Sequence, residues 1–394
     1  MKNTVGLTPP THSFGIQHNA LIIGAGLAGC AVANALAQRG YSCTIYDTHA
    51  TTASATSSIP VACIRPASSG DELHTRYYTK AFKLCIDKLN SKLFTQCGAL
   101  QLIKTGHDKN LPSDSKTIAA KAASSLAGTH IASDAWYSEQ SGWVMPKALC
   151  EHWINHKSIE VTGRTTITSL RQTEFGWQLL SANTVVNESA LVILANAASA
   201  KQFAQGSHLP LQQSGGQIDL FACEAPDLQK VIHSDNYLVP TPKGVWSGAT
   251  FHRNQSTAAI TAADSSANLN AANHIAPRLS LSTKPIQSFA GVRTATPDRL
   301  PVVGAMPDET SYRQLYRDLR HGRPASSYPE PVYLSGLYIT SAFGSRGATQ
   351  ALLAAELLCD LIADSEVDTD FIQALHPARF LLNSIRRNQG LADS

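Results

Sequence analysis

The sequence predicts a two-lobed α/β protein, and three observations support that fold class. A glycine-rich turn joins a strand to a helix near the amino terminus, and a second glycine turn between a strand and a helix occurs near the carboxyl terminus. The segments between these two ends include several that read as β-strands, which provides chain for a second lobe. With 394 residues, of which 43% are hydrophobic and 15% charged, the chain can bury two hydrophobic cores.

The amino-terminal unit has the order strand, turn, helix, strand. Residues 20–23 read as a short buried strand and residues 27–38 as an alanine-rich helix, with Gly40 placed for a left-handed cap. A second strand is predicted at 43–46, and it ends at Asp47. This order is typical of a Rossmann-type unit that binds a dinucleotide.

Three glycines in the first turn have the GxGxxG spacing of dinucleotide-binding proteins. Gly24 permits a tight turn, Gly26 lets a pyrophosphate approach the backbone, and Gly29 lets the helix pack closely on the strand. The free amide groups at the start of the helix attract phosphate, and Asp47 is placed to accept hydrogen bonds from ribose hydroxyls. The motif alone does not separate FAD from NAD.

The second glycine turn lies near the carboxyl terminus. A strand predicted at 337–342 leads into Gly344-Ser345-Arg346-Gly347, and a helix is predicted at 348–362. The start of that helix can stabilise negative charge on an electron-rich ring bound beside it. A plain glycine turn of an α/β domain is the alternative reading.

Two arginines stand where predicted elements end. Arg293 follows an apolar strand and precedes a proline-punctuated turn, and Arg346 lies in the second glycine turn. A lone arginine is usually a solvated surface group. Two of them beside a bound cofactor suggest a carboxylate clamp instead, because a guanidinium matches a carboxylate in a two-bond fork.

Composition excludes several classes of protein. The eight cysteines show no CxxC pair, which predicts reduced thiols and no metal site. The net charge of +3 neither demands nor excludes a nucleic-acid partner. The amino-terminal segment has no apolar run, and no segment reaches the roughly 18 apolar residues of a membrane span. We therefore expect a soluble, cytoplasmic protein.

These segments together resemble the D-amino-acid oxidase and glycine oxidase superfamily of flavoproteins. Within it, the chain is most similar to the FAD-dependent domain of the bifunctional proteins that synthesise 5-methylaminomethyl-2-thiouridine in tRNA. The resemblance covers most of the chain from Ala20 to about Arg387. The matching segments are LIIGAGLAG, SGWVMPKALCE, VILANAASA, GVRTATPDRLPVVGAMPD, SAFGSRGATQALLAAELL and LHPARF.

The resemblance implies a Rossmann-type FAD-binding domain and a substrate domain with a mainly antiparallel sheet. Candidate strands for that sheet are predicted at 211–222, 237–240 and 245–251. The predicted FAD-binding domain is assembled from 18–90, 146–205, 291–304 and 332–392, and the substrate domain from 91–145 and 206–290. Residues 1–17 are predicted to be a tail, and residues 305–331 a basic insertion.

The resemblance also implies a cofactor, a substrate and partners. FAD is expected to bind non-covalently, because Gly291 and Val292 stand where relatives with covalent flavin carry a cysteine. The implied substrate is 5-carboxymethylaminomethyl-uridine, often 2-thiolated, at the wobble position of tRNA. Its oxidation would give glyoxylate and an aminomethyl uridine. Since no methyltransferase domain precedes this one, a methyltransferase partner is expected to be a separate chain.

The implied site residues follow from the matching segments. Arg293 and Arg346 would hold the substrate carboxylate, and Tyr237 is a further substrate-side candidate that a packed tyrosine explains equally well. No side chain is expected to be an obligatory acid or base, since the flavin carries the oxidation. The expected FAD-binding residues are Gly24, Gly26, Leu27, Ala28, Gly29, Asp47, Thr48, Ser54, Ser57, Ala195, Asn196, Ala197, Gly344, Ser345, Arg346 and Gly347.

The basic insertion is predicted on the substrate side of the protein. Arg313, Arg317 and Arg320 have i, i+4, i+7 spacing, which predicts one basic stripe along a helix with Tyr316 beside it. A solvated helix face explains such a stripe, and so does a surface that contacts tRNA phosphates and stacks on bases. Both readings stay open at this point.

Rival functions share parts of this pattern. A glycine oxidase-like or D-amino-acid oxidase-like enzyme for free amino acids would have the same fold, FAD and arginine clamp. A non-catalytic tRNA-binding partner would keep the flavin for structure alone. An NAD dehydrogenase is a more distant alternative, and a colourless purified protein would favour it.

Overall fold

A computed structural model describes residue 7 and residues 18–103, 111–112, 114–223, 228–321 and 324–387. Apart from Leu7, the tail predicted at 1–17 lies outside these residues, as do the last residues of the predicted 332–392 segment. Within the described part, no helix is both long enough and apolar enough to cross a membrane.

The strands of the described chain are β1 (Asn19–Ile23), β2 (Ser42–Tyr46), β3 (Ala62–Ile64), β4 (Phe94–Thr95), β5 (Ala99–Leu102), β6 (Lys116–Ile118), β7 (Ala135–Ser138), β8 (Gly142–Val144), β9 (Ile159–Thr162), β10 (Ser169–Thr173), β11 (Gly176–Ser181), β12 (Thr184–Ser189), β13 (Leu191–Leu194), β14 (Gln212–Phe221), β15 (Val231–His233), β16 (Tyr237–Thr241), β17 (Gly244–Gly248), β18 (His252–Arg253), β19 (Gln287–Ala295), β20 (Val302–Pro307) and β21 (Tyr333–Ser341). The helices are α1 (Leu27–Gln38), α2 (Glu72–Lys88), α3 (Ala120–Ala127), α4 (Pro146–Ile154), α5 (Ala262–Ile275), α6 (Glu309–Leu315), α7 (Gly347–Ile362), α8 (Thr369–Leu375) and α9 (Ala378–Arg386).

The first lobe is built on a six-stranded sheet in the order β20-β21-β13-β1-β2-β9. All neighbours are parallel except β20, which runs antiparallel to β21. These strands come from distant parts of the sequence, and the central ones, β1 and β13, are short and apolar because both faces of the sheet are covered there.

Different layers cover the two faces of this sheet. Helices α1, α2, α4 and α7 bury one face in a continuous apolar core. The antiparallel sheet β10-β11-β12 covers the other, where Trp177 packs among strand side chains such as Leu194 and Ile339. Its indole Nε1 donates a hydrogen bond to the carbonyl of Ser335 at 2.8 Å, which ties this layer to β21.

The second lobe is built on a nine-stranded, largely antiparallel sheet. Its order is β18-β14-β17-β16-β15-β5-β7-β6, with β19 also paired to β14. Helix α5 is fixed to β14 by the fully buried Asp219, which accepts hydrogen bonds from Gln217, Asn268 and Ser288, among others. A small sheet, β3-β8-β4, completes the described strands.

The predicted fold class is confirmed, with a parallel Rossmann-type sheet and a largely antiparallel second sheet. The helix predicted at 27–38 coincides with α1, and the helix predicted at 348–362 is α7, one residue longer. The proposed domain boundaries stay a prediction. We note that β19, up to Ala295, pairs with the nine-stranded sheet, and that β20 runs three residues past the predicted boundary at 304.

The basic insertion lies elsewhere than predicted. Because β20 is antiparallel to β21, with Pro307 opposite Tyr333, residues 308–332 join the two strands at the amino-terminal edge of the parallel strands. The glycine turns lie at the opposite edge, about 25 Å along the nine residues of β21. The expectation that the insertion lies on the substrate side is therefore wrong.

The predicted helical stripe is also not continuous. Helix α6 ends at Leu315, and residues 317–321 form a 3₁₀ helix, so the i, i+4, i+7 spacing does not hold. Arg313 forms an ion pair with Glu309 at 2.7 Å, whereas Arg317 and Arg320 are exposed. Tyr316 is fully buried against α9, so its ring is not free to stack on a base.

The LHPARF segment stabilises the turn that follows β19. The Arg379 guanidinium donates to both carboxylate oxygens of Asp298, at 2.8 and 3.1 Å, and also to the carbonyls of Leu375, His376 and Leu300. Its side chain is only 9% exposed, so these bonds are shielded from water. The sequence resemblance pointed to this segment without indicating that structural role.

We expect Arg379→Ala to lower the free energy of unfolding by roughly 2–4 kcal/mol, because it leaves Asp298 and three carbonyls without their donor. This loss is smaller than that expected for breaking a fully buried ion pair, because the Asp298 side chain is 36% exposed. Denaturant unfolding measures it. As a control, Arg76→Ala removes an exposed pair with Asp370 and should cost under about 1 kcal/mol.

The same pair predicts a pH dependence of stability. Burial would raise the pKa of Asp298, but the hydrogen bonds and charge of Arg379 hold that pKa below its ordinary value. A depressed carboxyl pKa stabilises the fold above the unfolded-state pKa, and that contribution is lost as pH falls through the folded-state pKa. As pH falls, the free energy of unfolding should therefore decrease more for wild type than for Asp298→Asn. Equal decreases in the two proteins would contradict this prediction.

Candidate active site

The two glycine turns lie at one edge of the parallel sheet. Strands β1, β13 and β21 are adjacent and parallel, so their carboxyl ends meet, and helices α1 and α7 both begin there. The Cδ1 atom of Leu27 lies 3.3 Å from the point where a Cβ on Gly347 would sit. Turns separated by more than 300 residues of sequence thus place two helix amino termini side by side.

The geometry of the first turn explains why glycine occupies each of its three motif positions. Gly24 has φ +110°, and a Cβ there would lie 2.6 Å from the carbonyl oxygen of Ala195. A Cβ on Gly29 would lie 1.8 Å from the carbonyl oxygen of Gly24, so the helix packs directly on the turn. At Gly26 no backbone atom is close to the Cβ position, and the nearest atom is the Ser57 hydroxyl oxygen, at 3.0 Å. The bare backbone of Gly26 is open on the side that a phosphate would approach.

Asp47 and Ser57 hold the glycine turn in shape. One carboxylate oxygen of Asp47 accepts from the amide of Ala25 at 2.7 Å, and the other accepts from the amide of His49 at 2.8 Å. The Ser57 hydroxyl accepts from the amide of Leu27 at 3.1 Å, at the start of α1. Both predicted residues therefore lie at the turn.

The other predicted cofactor residues divide into two groups. The amide of Ala195 donates to the carbonyl of Ile23, and the buried Oδ1 of Asn196 has no hydrogen-bond partner. An acceptor left without a partner at this edge suits a ligand that brings a donor. Thr48 and Ser54 are exposed, and their hydroxyls bond to Thr166 and Thr51 respectively. Their role as cofactor ligands stays a prediction.

Arg346 belongs to a group of shielded cations. Its guanidinium lies over the ring of Tyr78, 4.4 Å from the centroid, and burial lowers its pKa. Beside it, burial and the charge of Arg346 lower the pKa of Arg65 to about 10. Burial, followed by the charges of these two arginines, holds the pKa of His233 well below its ordinary value. The imidazole is therefore neutral near pH 7.

Arg293 approaches from the nine-stranded sheet. Its Nη1 donates to the carbonyl of Thr250 at 3.5 Å, and its side chain crosses Gly216, where any Cβ would collide with it. Burial lowers the pKa of Arg293 and raises the pKa of Tyr237, which is electrostatically coupled to it. Arg293 and Tyr237 are thus close enough to interact electrostatically, while their roles as substrate ligands and the direct convergence of Arg293 with Arg346 stay predictions.

Two members of this group were missed from the sequence. Arg65 directly follows β3, and His233 ends β15. Arg65 offered a weak signal, as a cation in an otherwise apolar loop segment. His233 offered none, because its neighbours come from β16 and from the other lobe.

The described residues fit a flavin dinucleotide. They provide a glycine turn open at Gly26, two helix starts for negative charge, and the unpartnered Oδ1 of Asn196. Among the described residues, neither Arg65, Arg293 nor Arg346 forms an ion pair with a carboxylate. The fold and this site define a dinucleotide-binding oxidoreductase.

Comparison with known proteins agrees with that class. The profile of the family of FAD-dependent oxidoreductases related to D-amino-acid oxidase matches residues 19–361, and the chain belongs to this family. The predictions of an FAD-dependent oxidoreductase and of FAD as cofactor are thereby confirmed.

Curated relatives narrow the resemblance. The tRNA 5-methylaminomethyl-2-thiouridine biosynthesis bifunctional protein MnmC of Pseudomonas syringae is 31% identical over 95% of this chain and 60% of its own length. The protein of the same name from Methylobacillus flagellatus is 32% identical, again over 95% of this chain, and over 61% of its own length. The chain thus spans about three fifths of these relatives. The predicted resemblance to this group is confirmed.

Solved structures share the fold. Glycine oxidase from Geobacillus kaustophilus superposes with a TM-score of 0.74 at 18% identity, over 89% of this chain and 96% of that chain. L-proline dehydrogenase from P. horikoshii gives a TM-score of 0.72 at 16% identity, over 94% of this chain and 98% of that chain. At these identities the likeness establishes the architecture only.

Proposed function

We propose that this enzyme oxidises the CH–NH bond of 5-carboxymethylaminomethyl-(2-thio)uridine at the tRNA wobble position. The products are glyoxylate and 5-aminomethyl-(2-thio)uridine. Support comes from the relatives, which are named for tRNA 5-methylaminomethyl-2-thiouridine biosynthesis. A tRNA substrate also accords with the expected cytoplasmic location.

The observation that carries the proposal is the group of shielded, unpaired cations. Arg65 and Arg346 are neighbours without a carboxylate partner among the described residues, and Arg293 approaches from the other lobe. Burying such charges is costly unless a counter-ion is present for part of the working cycle. The carboxylate of an N-substituted glycine provides that counter-ion.

The side chains of the site need only bind and orient the substrate, because FAD, when bound, supplies the two-electron oxidation. Arg346 and Arg293 hold the substrate carboxylate, which fixes the carbon between carboxylate and amine. Burial and the charges of Arg65 and Arg346 hold the pKa of His233 low, so its imidazole adds no further positive charge beside these arginines. The oxidised carbon–nitrogen bond then takes up water and separates into glyoxylate and the aminomethyl uridine.

We also propose the functional division of the chain. The six-stranded sheet with its covering layers forms the FAD-binding domain, from 18–90, 146–205, 291–304 and 332–392. The nine-stranded sheet forms the substrate domain, from 91–145 and 206–290, and its strand β19 continues to Ala295 in the segment predicted for the FAD-binding domain. The product is a primary amine, so a methyltransferase acting after this enzyme is the partner we propose.

An anaerobic titration of the holoprotein tests the proposed function. Addition of tRNA bearing the carboxymethylaminomethyl group should bleach the flavin absorbance, and glyoxylate should appear in equal amount. Bleaching by glycine or sarcosine, with none by that tRNA, would instead identify an oxidase of free amino acids. Tight tRNA binding without bleaching would identify a non-catalytic flavin-containing partner.

The proposed tRNA contacts of Arg313, Arg317 and Arg320 have a separate test. Since Arg317 and Arg320 are exposed, charge reversal to Glu should leave the fold intact. If they contact tRNA phosphates, Arg317→Glu and Arg320→Glu will weaken turnover of whole tRNA by about 5-fold or more and spare the isolated nucleoside. Equal kinetics on whole tRNA would identify a solvated surface, as their distance from the glycine turns suggests.

A further inference from the structure

Three adjacent strands place two arginines on one face of the nine-stranded sheet. Ser214 of β14 is paired with Arg253 of the edge strand β18 on one side and with Arg293 of β19 on the other. Residues directly opposite in antiparallel strands point to the same face. Arg253 and Arg293 therefore lie on one face, with Cα atoms about 10 Å apart across two strand spacings.

An exposed aromatic ring lies beside Arg293, two residues before Arg253 in the sequence. Phe251 is 57% exposed, and the guanidinium carbon of Arg293 lies 5.9 Å from its ring centroid. Because Phe251 precedes Arg253 by two residues, strand alternation also places it on the same face. An aromatic ring held this open to water, beside two cations, is a common feature of surfaces that bind single-stranded nucleic acid.

The same face leads inward to the glycine turn. Gly216 and Gly291 are paired in register next to Arg293, whose side chain crosses Gly216, and the Phe289 ring lies 2.9 Å from the Cβ position of Gly291. A Cβ on Gly291 would lie 3.6 Å from Thr56, whose hydroxyl donates to the carbonyl of Val292 at 2.6 Å. The residue after Thr56 is Ser57, which contacts the start of α1. Contacts of Thr56 and Ser57 therefore connect β19, the strand that carries Arg293, to the start of α1 at the candidate flavin site.

We propose that Phe251 and Arg253 form a nucleotide-binding lip at the entrance to the active site. The ring of Phe251 stacks on a base of the RNA strand that carries the modified uridine, and Arg253 contacts a backbone phosphate. This inference rests on the proposed function, because a free amino acid bound at Arg293 would not extend about 10 Å to the edge strand. The occupant is single-stranded RNA, since stacking needs an unpaired base.

Charge favours this occupant. On this face Arg253 is exposed and Arg293 is partly buried, and neither forms an ion pair with a carboxylate among the residues described. The nearby pair of His252 and Asp264 lies on the opposite face, because His252 is paired with Gly215, one residue along from Ser214. A phosphate approaching Arg253 on this face therefore meets positive charge.

Equilibrium binding of RNA tests the lip without requiring turnover. The probe is a fluorescein-labelled, unmodified anticodon stem-loop, titrated with FAD-loaded protein and followed by anisotropy. Phe251→Ala should weaken binding by about 5- to 100-fold, and Phe251→Trp should restore most of it. Arg253→Ala should reduce the slope of log affinity against log salt by about 0.7, as expected for one lost phosphate contact.

Matched controls lie on the sheet β10-β11-β12, which belongs to the other lobe. Phe175 is 72% exposed at the β10–β11 turn, and Arg171 is exposed on β10. They are the same residue types as Phe251 and Arg253 but lie outside the proposed lip. Phe175→Ala and Arg171→Ala should bind the stem-loop as wild type does. Retained flavin absorbance shows that each variant is folded.

The outcomes separate the lip from the proposed function. If Phe251→Ala and Arg253→Ala bind RNA as wild type does, or lose no more than the control variants, the lip is wrong even if tRNA bleaches the flavin. If the lip variants lose RNA binding while tRNA fails to bleach the flavin, the lip stands and the oxidation proposal fails. A uniform loss that Phe251→Trp does not restore would also overturn stacking.

Discussion

Gly26→Val should produce a folded protein without FAD, a complete loss of the cofactor. In the polypeptide itself a Cβ on Gly26 meets only the Ser57 side chain, with its hydroxyl at 3.0 Å, a tight contact that a small shift of this side chain relieves. The branched side chain would instead occupy the space through which the pyrophosphate reaches the backbone at the start of α1. The measurement is the flavin-to-protein absorbance ratio of the purified variant, with circular dichroism as the check of folding.

A second glycine variant provides the control. Gly70 has no neighbouring heavy atom within 4 Å of its Cβ position and lies outside the glycine turns, so Gly70→Val should retain FAD. Acid precipitation of wild type should release the flavin into solution, as a non-covalent cofactor requires. A folded Gly26→Val protein that keeps a full complement of FAD would show that the phosphates bind elsewhere.

Arg346→Ala and Arg293→Ala should each lower kcat/KM for the N-substituted glycine substrate by about 100-fold while leaving FAD bound. One two-bond fork to a carboxylate contributes a few kcal/mol when shielded from water, and each factor of ten corresponds to about 1.4 kcal/mol. Burial lowers the pKa of both arginines, which indicates that each is shielded in this way. Steady-state kinetics on the isolated nucleoside measures the effect.

Conservative replacement distinguishes orientation from charge. Arg346→Lys and Arg293→Lys should recover only part of the loss, because a point charge cannot fix a planar carboxylate. Arg171→Ala, an exposed arginine on β10, is the control and should retain wild-type kinetics. Wild-type oxidation of the nucleoside by the two alanine variants would rule out the clamp. In that case Arg65, the neighbour of Arg346, would be the next residue to test.

The shielded arginines also show where prediction from sequence stops. Arg293 and Arg346 could be selected because each is predicted at the end of an element, although in the structure β19 continues two residues past Arg293, to Ala295. Arg65 follows β3 of the small sheet and His233 ends β15 of the nine-stranded sheet, so both approach Arg346 only in the assembled fold, and no local pattern encodes that approach. The pKa of each group depends on burial, which is a property of the assembled protein.

In the basic insertion, a sequence pattern predicted a structure that the protein does not form. The spacing of Arg313, Arg317 and Arg320 fits a helical stripe, but the chain leaves the α-helix at Leu315. Tyr312 and Tyr316 are fully buried, in a cluster with α9, and that packing decides the local conformation. Burial of two aromatic rings outweighs the weak preference of exposed arginines for a regular helix.

By itself, the sequence determined the nucleotide-binding unit almost to the residue. The reason is local: Gly24, Gly26 and Gly29 are the residues that a tight turn and a close helix require, and apolar periodicity marks β1 and α1 around them. Only the tertiary structure decided which cations share the active site, which edge the insertion occupies, and that Arg253 stands in register with Arg293. Those facts depend on strand order and on pairing between distant segments, which arise from packing of the whole chain.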